Sequence, residues 1–240
     1  IRWAARSTAR SAIMCCWRRR LSARRATSTR SSTVSPMRSK AHWPPSDALS
    51  ISARFAMTER LPHFELSDAT PEQKAVLDEI LSGPRGNLNG PFLGWIHSPE
   101  LAQQAQRLGA FCRYRTGLPL RLSELAILVT AARWQAQAEW YIHYPIALEA
   151  GVAEADAEAI RLGHRPSFAH ADDALIHDFA SELYDTKRVS DATYAKAVER
   201  FGHQVVINLV GLLGYYALVA MTLNVFDMRA VGQESLPFAE

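Results

Sequence analysis

Two titratable side chains, Glu139 and His143, interrupt the apolar stretch AEWYIHYPIALEAG, which covers residues 138–151. Side chains four positions apart share one face of an α-helix and lie about 40° apart around its axis. An imidazole titrates near neutral pH, and a carboxyl group with a raised pKa can donate a proton, so the pair favours general acid–base chemistry. The alternative is a local ion pair on the helix. Pro145 removes a backbone donor and predicts a kink beside His143.

A third carboxyl group, that of Glu124, joins this candidate site if the chain turns a corner. Residues 119–149 as one helix would span about 46 Å, which is too long for a domain of this size. The apolar pattern is weakest around Gln135, and a break there would fold Glu124 back toward His143. We therefore predict that Glu124, Glu139 and His143 are catalytic residues at a helical corner.

Cationic and aromatic side chains near these helices are candidates for substrate binding. An anionic substrate would place its carboxylate against Arg113 or Arg133, because guanidinium groups bind carboxylates through paired hydrogen bonds. His97 follows a loop rich in Gly and Pro, and it reaches either the pocket or the packing at the start of the next helix. Trp95 and Trp140 either line the pocket or belong to the core.

The sequence predicts no metal site and no cofactor. Three histidines lie around a polar linker at a spacing that matches no standard zinc site: His164, His170 and His177. Cys112 is the one cysteine beyond residue 56, since the other two are the adjacent Cys15 and Cys16. This pattern predicts no disulfide framework and is typical of a reducing compartment, so we expect a cytoplasmic protein.

The charge of the chain divides it into two parts. Residues 1–56 hold 12 Lys and Arg residues and one acid, a balance of +11, whereas residues 57–240 hold 15 Lys and Arg residues against 23 acids, a balance of −8. The first part is rich in Arg and Ser and has no periodicity, so we expect a disordered extension. A targeting peptide and a nucleic-acid-binding arm are the alternatives. Because MTERLP at Met57 resembles a natural start, we favour the interpretation that residues 1–56 do not belong to the native protein, and we expect no nucleic-acid partner.

Residues 57–240 carry helix signals and no sustained strand alternation, which predicts an all-α class. The predicted starts combine a capping residue with a following proline or a capping box, and the predicted ends are glycines. These positions are Thr70, Pro71, Gln73 and Gly83 for one helix, Ser98, Pro99 and Gly117 for the next, and Ser190 and Gly202 for a later one. In the second of these helices, the apolar positions Leu101, Ala105, Leu108 and Cys112 keep helical spacing.

An uncharged segment at residues 201–226 is long enough to cross a membrane. Polar side chains are nevertheless spread along it, at Gln204, Asn208, Thr222 and Asn224, and Gly211 and Gly214 suit close helix packing. We therefore predict a helix buried in the core or at a subunit interface, with no membrane partner.

Residues 57–238 resemble the carboxymuconolactone decarboxylase family, whose wider superfamily includes alkylhydroperoxidase D. The resemblance is carried, in order, by TPEQKAVLDEILSGPRG, GPFLGWIHSPELAQQAQRLGAF, LPLRLSELAILVTAARW, AEWYIHYPIALEAGV, VSDATYAKAVERFG and VVINLVGLLGYYALVAMTLNVF. It implies an alkylhydroperoxidase D-like bundle of about six helices that associates into homo-oligomers: trimers, hexamers or dimers.

The redox branch of this family carries a Glu, a Cys-x-x-Cys pair and a His three residues beyond the second Cys. Glu124 and His143 match the Glu and the His, but Ala136 and Glu139 occupy the two cysteine positions. Without thiolates a thiol peroxidase is not expected. The remaining Glu124, Glu139 and His143 resemble the decarboxylase side of the family.

The resemblance thus implies a carbon–carbon lyase of aromatic-compound catabolism acting on a small anionic organic acid or lactone. Loss of carbon dioxide would leave an enolate-like anion that an acidic side chain protonates. A hydrolase, isomerase or dehydratase with the same residues is one alternative, because one fold supports many reactions. A non-catalytic oligomeric binding protein is another.

Overall fold

A computed structural model describes residues 60–239, and every structural statement below concerns these residues. The predictions for residues 1–56 fall outside them. The described residues form a short 3₁₀ turn, Leu66–Asp68, and eight α-helices without a strand, so the chain is all-α as predicted. The helices are α1 (Pro71–Ser82), α2 (Phe92–Trp95), α3 (Pro99–Tyr114), α4 (Leu120–Trp134), α5 (Gln137–Glu149), α6 (Glu154–Arg161), α7 (Ala171–Thr186) and α8 (Asp191–Val225). They outnumber the expected six because α2 and α6, of one and two turns, lack the longer periodic pattern on which the prediction depends.

The predicted helix starts are mostly confirmed. Before α1, the Thr70 hydroxyl accepts a hydrogen bond from the Gln73 backbone N–H, and the Gln73 side chain accepts one from the Thr70 N–H, which completes the capping box. At the start of α8, the Ser190 hydroxyl accepts a hydrogen bond from the Thr193 backbone N–H. Ser98 occupies the cap position of α3, but its side chain makes no capping bond.

The predicted end of α3 is wrong by three residues. The helix ends at Tyr114, and Gly117 lies beyond it in the following turn with φ +83°. The buried stripe of α3 also differs from the prediction, because Ala105 and Cys112 are buried whereas Leu101 and Leu108 are each 46% exposed. Small side chains, chiefly Ala102, Ala105 and Gly109, face the core and bring α3 close to its neighbours.

The predicted break between α4 and α5 is confirmed. Gln135 adopts a left-handed conformation with φ 50° and ψ 39°, which ends α4, and α5 begins two residues later. Ala136 N–H donates to the carbonyl of Ala131, and the Asn224 side chain donates to the carbonyl of Trp134, so the exposed end of α4 is capped from two sides. The corner returns the chain along α4 and sets α5 beside it.

α4 lies at the centre of the bundle. Residues 122–131 are all buried, and the helix packs against α5, α6, α7 and α8. Its buried polar residues have local partners: Thr130 donates to the Ala126 carbonyl and shares a hydrogen bond with the Tyr184 hydroxyl. A helix surrounded in this way fixes the position of any functional group that it carries.

The uncharged segment that the sequence predicts as a helix forms the second part of α8, and α8 is interrupted as expected at Gly202, where φ is +78°. It resumes immediately, and by length and composition it qualifies as a membrane span, with a mean hydropathy of 1.9. Only half of the scored stretch is buried. Burial in the core therefore holds for only part of the helix, since Ile207, Val210 and Val225 on its outer face are exposed, and burial at a subunit interface stays a prediction.

The carboxyl-terminal segment is fixed against α5. The Gln137 side chain donates to the carbonyl of Phe238 at 2.8 Å and accepts from its N–H at 3.0 Å. The Phe238 ring is buried against Trp140, with ring centroids 5.5 Å apart. These contacts assign Trp140 to the core beneath this segment.

Gly109 on α3 tests how tightly this core is packed. A Cβ atom there would lie 2.1 Å from the Tyr215 hydroxyl oxygen, so Gly109→Ala should destabilise the protein by about 1–3 kcal/mol. Helix propensity alone predicts the opposite, a gain of about 1 kcal/mol. Urea unfolding measures the difference, and Gln104→Ala, at an exposed position of the same helix, should remain within about 0.5 kcal/mol of the wild type. A stabilised Gly109→Ala protein would contradict the described packing.

Candidate active site

His143 and Glu124 form a buried hydrogen bond across the α4–α5 corner. The distance from His143 Nδ1 to Glu124 Oε2 is 2.7 Å, and the two residues are 5% and 1% exposed. The prediction that Glu124 holds a member of the pair is thus confirmed. Because a carboxylate oxygen only accepts, Nδ1 donates its proton, and the lone pair of the neutral imidazole is left on Nε2.

The surroundings of His143 favour the neutral imidazole. Burial is the main cause that lowers its pKa, and the positive charges of Arg113 and Arg85 act in the same direction. The Glu124 carboxylate opposes them but does not reverse the shift. The imidazole also packs edge-to-face with the Tyr216 ring, at 5.1 Å between centroids. At neutral pH the ring therefore offers Nε2 as a base.

Glu139 is a buried carboxyl group without a protein partner. It is 1% exposed, and neither of its side-chain oxygens has a hydrogen-bond partner among the described residues. Burial raises its pKa well above the ordinary value of 4.5 and so favours the protonated, neutral form. Glu139 does not orient His143 through a hydrogen bond, because that bond is made by Glu124. A carboxyl group that is buried in this way is not part of a solvent-exposed ion pair on the helix.

Two tyrosines of α8 complete this side of the site. Tyr216 is 3% exposed, and its hydroxyl has no hydrogen-bond partner among the described residues. Burial raises the pKa of Tyr216 well above 10 and that of Tyr215 to about 12, so both remain phenols that can donate hydrogen bonds. The adjacent Cys112 is also buried, and its pKa rises to about 11, which keeps it a thiol rather than a nucleophilic thiolate.

Two arginines act on the site from outside the α4–α5 corner. Arg113, in the last turn of α3, was anticipated as a substrate-binding residue, and its charge acts on His143 and Tyr216. Arg85 was missed. It lies in the loop of residues 83–91, and its guanidinium carbon is 4.8 Å from the centre of the Phe92 ring. In the sequence, Arg85 is the one charged residue of a loop rich in Gly, Pro and Asn that directly precedes the helix of Trp95. That feature could have indicated it.

Two other residues predicted to bind substrate, Arg133 and His97, lie elsewhere. Arg133 is bonded to Asp185 at 2.5 Å, with about half of each side chain exposed, and nine residues of α4 place it about 13 Å from Glu124. His97 is exposed and touches Phe64 edge-on, so it belongs to the packing at the start of α3.

Trp95 lies behind the site rather than in it. Its indole N–H donates to the Thr222 hydroxyl at 2.9 Å, and its ring packs edge-on against Tyr215 at 6.2 Å. The structure therefore brings together Glu124, His143 and the charge of Arg113, and it assigns both tryptophans to the core. Among residues 60–239 no cluster of His, Cys, Asp or Glu is arranged to hold a metal ion.

Two depressions on the surface of the described residues are lined by none of Glu124, Glu139, His143 and Tyr216. One borders the α4–α5 corner between Trp134 and Arg229 and has a volume of about 230 Å³, and the other lies at Lys196 and Arg200. Glu139 and His143 thus lie inside the bundle, covered by their own neighbours. A ligand that reaches them enters a dry environment in which charges interact strongly.

No family model matches the chain, and no curated protein matches it.

Proposed function

We propose that the protein is an enzyme that uses acid–base chemistry on a small carboxylated or lactone metabolite, as a carbon–carbon lyase that releases carbon dioxide. One observation supports this most directly: a neutral imidazole, fixed at Nδ1 by Glu124, lies one helical turn along α5 from the buried, unpartnered carboxyl group of Glu139. When the surroundings raise the pKa of one group and lower that of another, the first can act as the acid and the second as the base.

The proposed step uses the acid first. The bond between the substrate's ring carbon and its carboxylate breaks, carbon dioxide leaves, and the electron pair remains as an enolate conjugated with the lactone carbonyl. The Glu139 carboxylic acid donates its proton to that carbanion, and a proton from solvent restores it. The anionic Glu139 is short-lived, because burial disfavours its charge.

His143 supplies the complementary function. Its Nε2 accepts a proton from the substrate where the double bond must shift, and Glu124 stabilises the imidazolium that forms. The same acid and base would serve an isomerase, a dehydratase or a hydrolase, and the product analysis below distinguishes these reactions.

The activity test removes one proton-transfer group at a time. His143→Gln and Glu139→Gln keep side-chain size and polarity, and each should lower turnover by about 10²–10⁴-fold, as is typical of general acid–base groups. The substrates are a panel of lactone acids and keto acids, with carbon dioxide release and product analysis as readouts. His97→Gln is the matched control, since His97 is exposed and outside the site.

The double variant supplies a further criterion. If the two groups act as one unit, it should be little worse than either single variant. Turnover at the wild-type rate in His143→Gln, with unchanged helical content, would contradict the proposal and favour a non-catalytic binding protein.

We further propose that the chain self-associates through the outer face of α8. Between residues 203 and 225 this helix has no charged residue, and Ile207, Val210, Met221 and Val225 are 69%, 48%, 39% and 59% exposed. A contiguous apolar surface of this kind is typical of a protein interface.

Ile207→Lys should therefore shift the protein toward the monomer mass of 26.7 kDa, because a charge at the centre of an apolar contact is costly to desolvate. Sedimentation equilibrium of both proteins measures this. Leu162→Lys is the control, since Leu162 is 54% exposed on a different surface and should leave the mass unchanged. A monomeric wild type would contradict this proposal.

A further inference from the structure

Arg85 has the position and chemistry of an anion-binding residue that the acid–base step does not use. Its Nη2 atom is buried and has no hydrogen-bond partner among the described residues. A guanidinium group is always charged and carries five N–H donors, so a buried unbonded donor is costly unless a ligand or water satisfies it. The stacking of Arg85 on Phe92 fixes the group without using any of those donors.

The guanidinium group faces the candidate active site. Nη2 lies 3.0 Å from the point where a Gly109 side chain would begin, and the Tyr215 hydroxyl lies 2.1 Å from the same point. The missing side chain at Gly109 is therefore what lets these two groups converge. The charge of Arg85 also acts on His143 and Tyr216.

Tyr216 offers the second unused donor. Its hydroxyl is buried and unbonded among the described residues, while its ring touches His143. Buried polar groups in native proteins are nearly always satisfied, so two unbonded donors, one in contact with His143 and one whose charge acts on it, indicate a ligand that accepts hydrogen bonds. A positive charge beside a phenol selects an oxyanion.

We propose that Arg85 is the specificity-determining residue of this site, and that Nη2 and the Tyr216 hydroxyl bind the carboxylate or enolate oxygen of a small organic acid. The inference depends on the proposed function only for the reaction that follows binding. Ligand selection is thereby assigned to Arg85 in the loop of residues 83–91, whereas the proton-transfer groups Glu139 and His143 lie on a helix.

The test uses a stable probe pair, 2-furoate and its neutral amide 2-furamide, whose flat oxygen ring has the size of a lactone. Isothermal titration calorimetry should show the wild-type protein binding the acid at least about 10-fold more tightly than the amide. In Arg85→Leu the Kd for furoate should rise about 10–100-fold, the range of a charge-assisted hydrogen bond, and the Kd for furamide should not change.

Three variants complete the design. Arg85→Lys keeps the charge without the planar fork and should lose less affinity than Arg85→Leu. Tyr216→Phe should weaken furoate binding about 2–10-fold. Arg107→Leu is the control for net charge, since Arg107 is exposed on α3 and bonded to Glu79, and it should bind furoate like the wild type. Thermal unfolding verifies that each variant is folded.

Equal wild-type affinity for acid and amide, no binding of either, or an unchanged furoate Kd in folded Arg85→Leu would each overturn the inference. Failure of the proposed function looks different: turnover would survive His143→Gln while furoate binding still required Arg85. If both hold, His143→Gln should abolish turnover and retain furoate binding within a few-fold.

Discussion

The buried hydrogen bond between the His143 imidazole and the Glu124 carboxylate joins the two helices at the centre of the molecule. It requires the corner at Gln135, whose left-handed conformation returns the chain so that α5 lies beside α4. A charged or polar group in such an environment needs a partner, because the interior does not solvate it as water does. The bond satisfies Glu124, fixes the imidazole tautomer and leaves Nε2 for chemistry.

Glu139 has the opposite relation to its surroundings. It shares the burial of Glu124 but has no partner among the described residues, and its burial raises its pKa. A buried carboxyl group that remains neutral lowers stability where the unfolded chain would ionise it. Natural proteins retain such destabilising groups mainly at functional sites. The unbonded donors of Arg85 and Tyr216 follow this pattern, since Tyr216 contacts His143 and the charge of Arg85 acts on it. The proton-transfer groups and the anion-binding groups are therefore interpreted together.

The sequence predicts those parts of this arrangement that depend on local chemistry. The capping box at Thr70, the break at Gln135 and the return of Glu124 to His143 follow from capping patterns, helix length and apolar periodicity. Spacing alone does not show where a side chain finds its partner, and the i, i+4 relation therefore suggested a Glu139–His143 contact where the bond is made by Glu124. Leu101 and Leu108 fit an apolar period but face outward, because small residues let α3 approach the core. Arg85 depends on a loop conformation, which has no periodic signal.

The neutral state of Glu139 is tested most directly by the pH dependence of the free energy of unfolding in the wild type and in Glu139→Gln. Above pH 4.5 the folded wild type keeps a proton that the unfolded chain releases, so its stability should fall as pH rises, relative to the variant, by up to about 1.4 kcal/mol per pH unit. The relative fall should continue until the raised pKa of Glu139 is reached. Glu100→Gln, at an exposed position of α3, is the matched control and should follow the wild type. A stability difference between the wild type and Glu139→Gln that is constant from pH 4.5 to 8 would show an ordinary ionised carboxylate and would contradict a proton donor at this position.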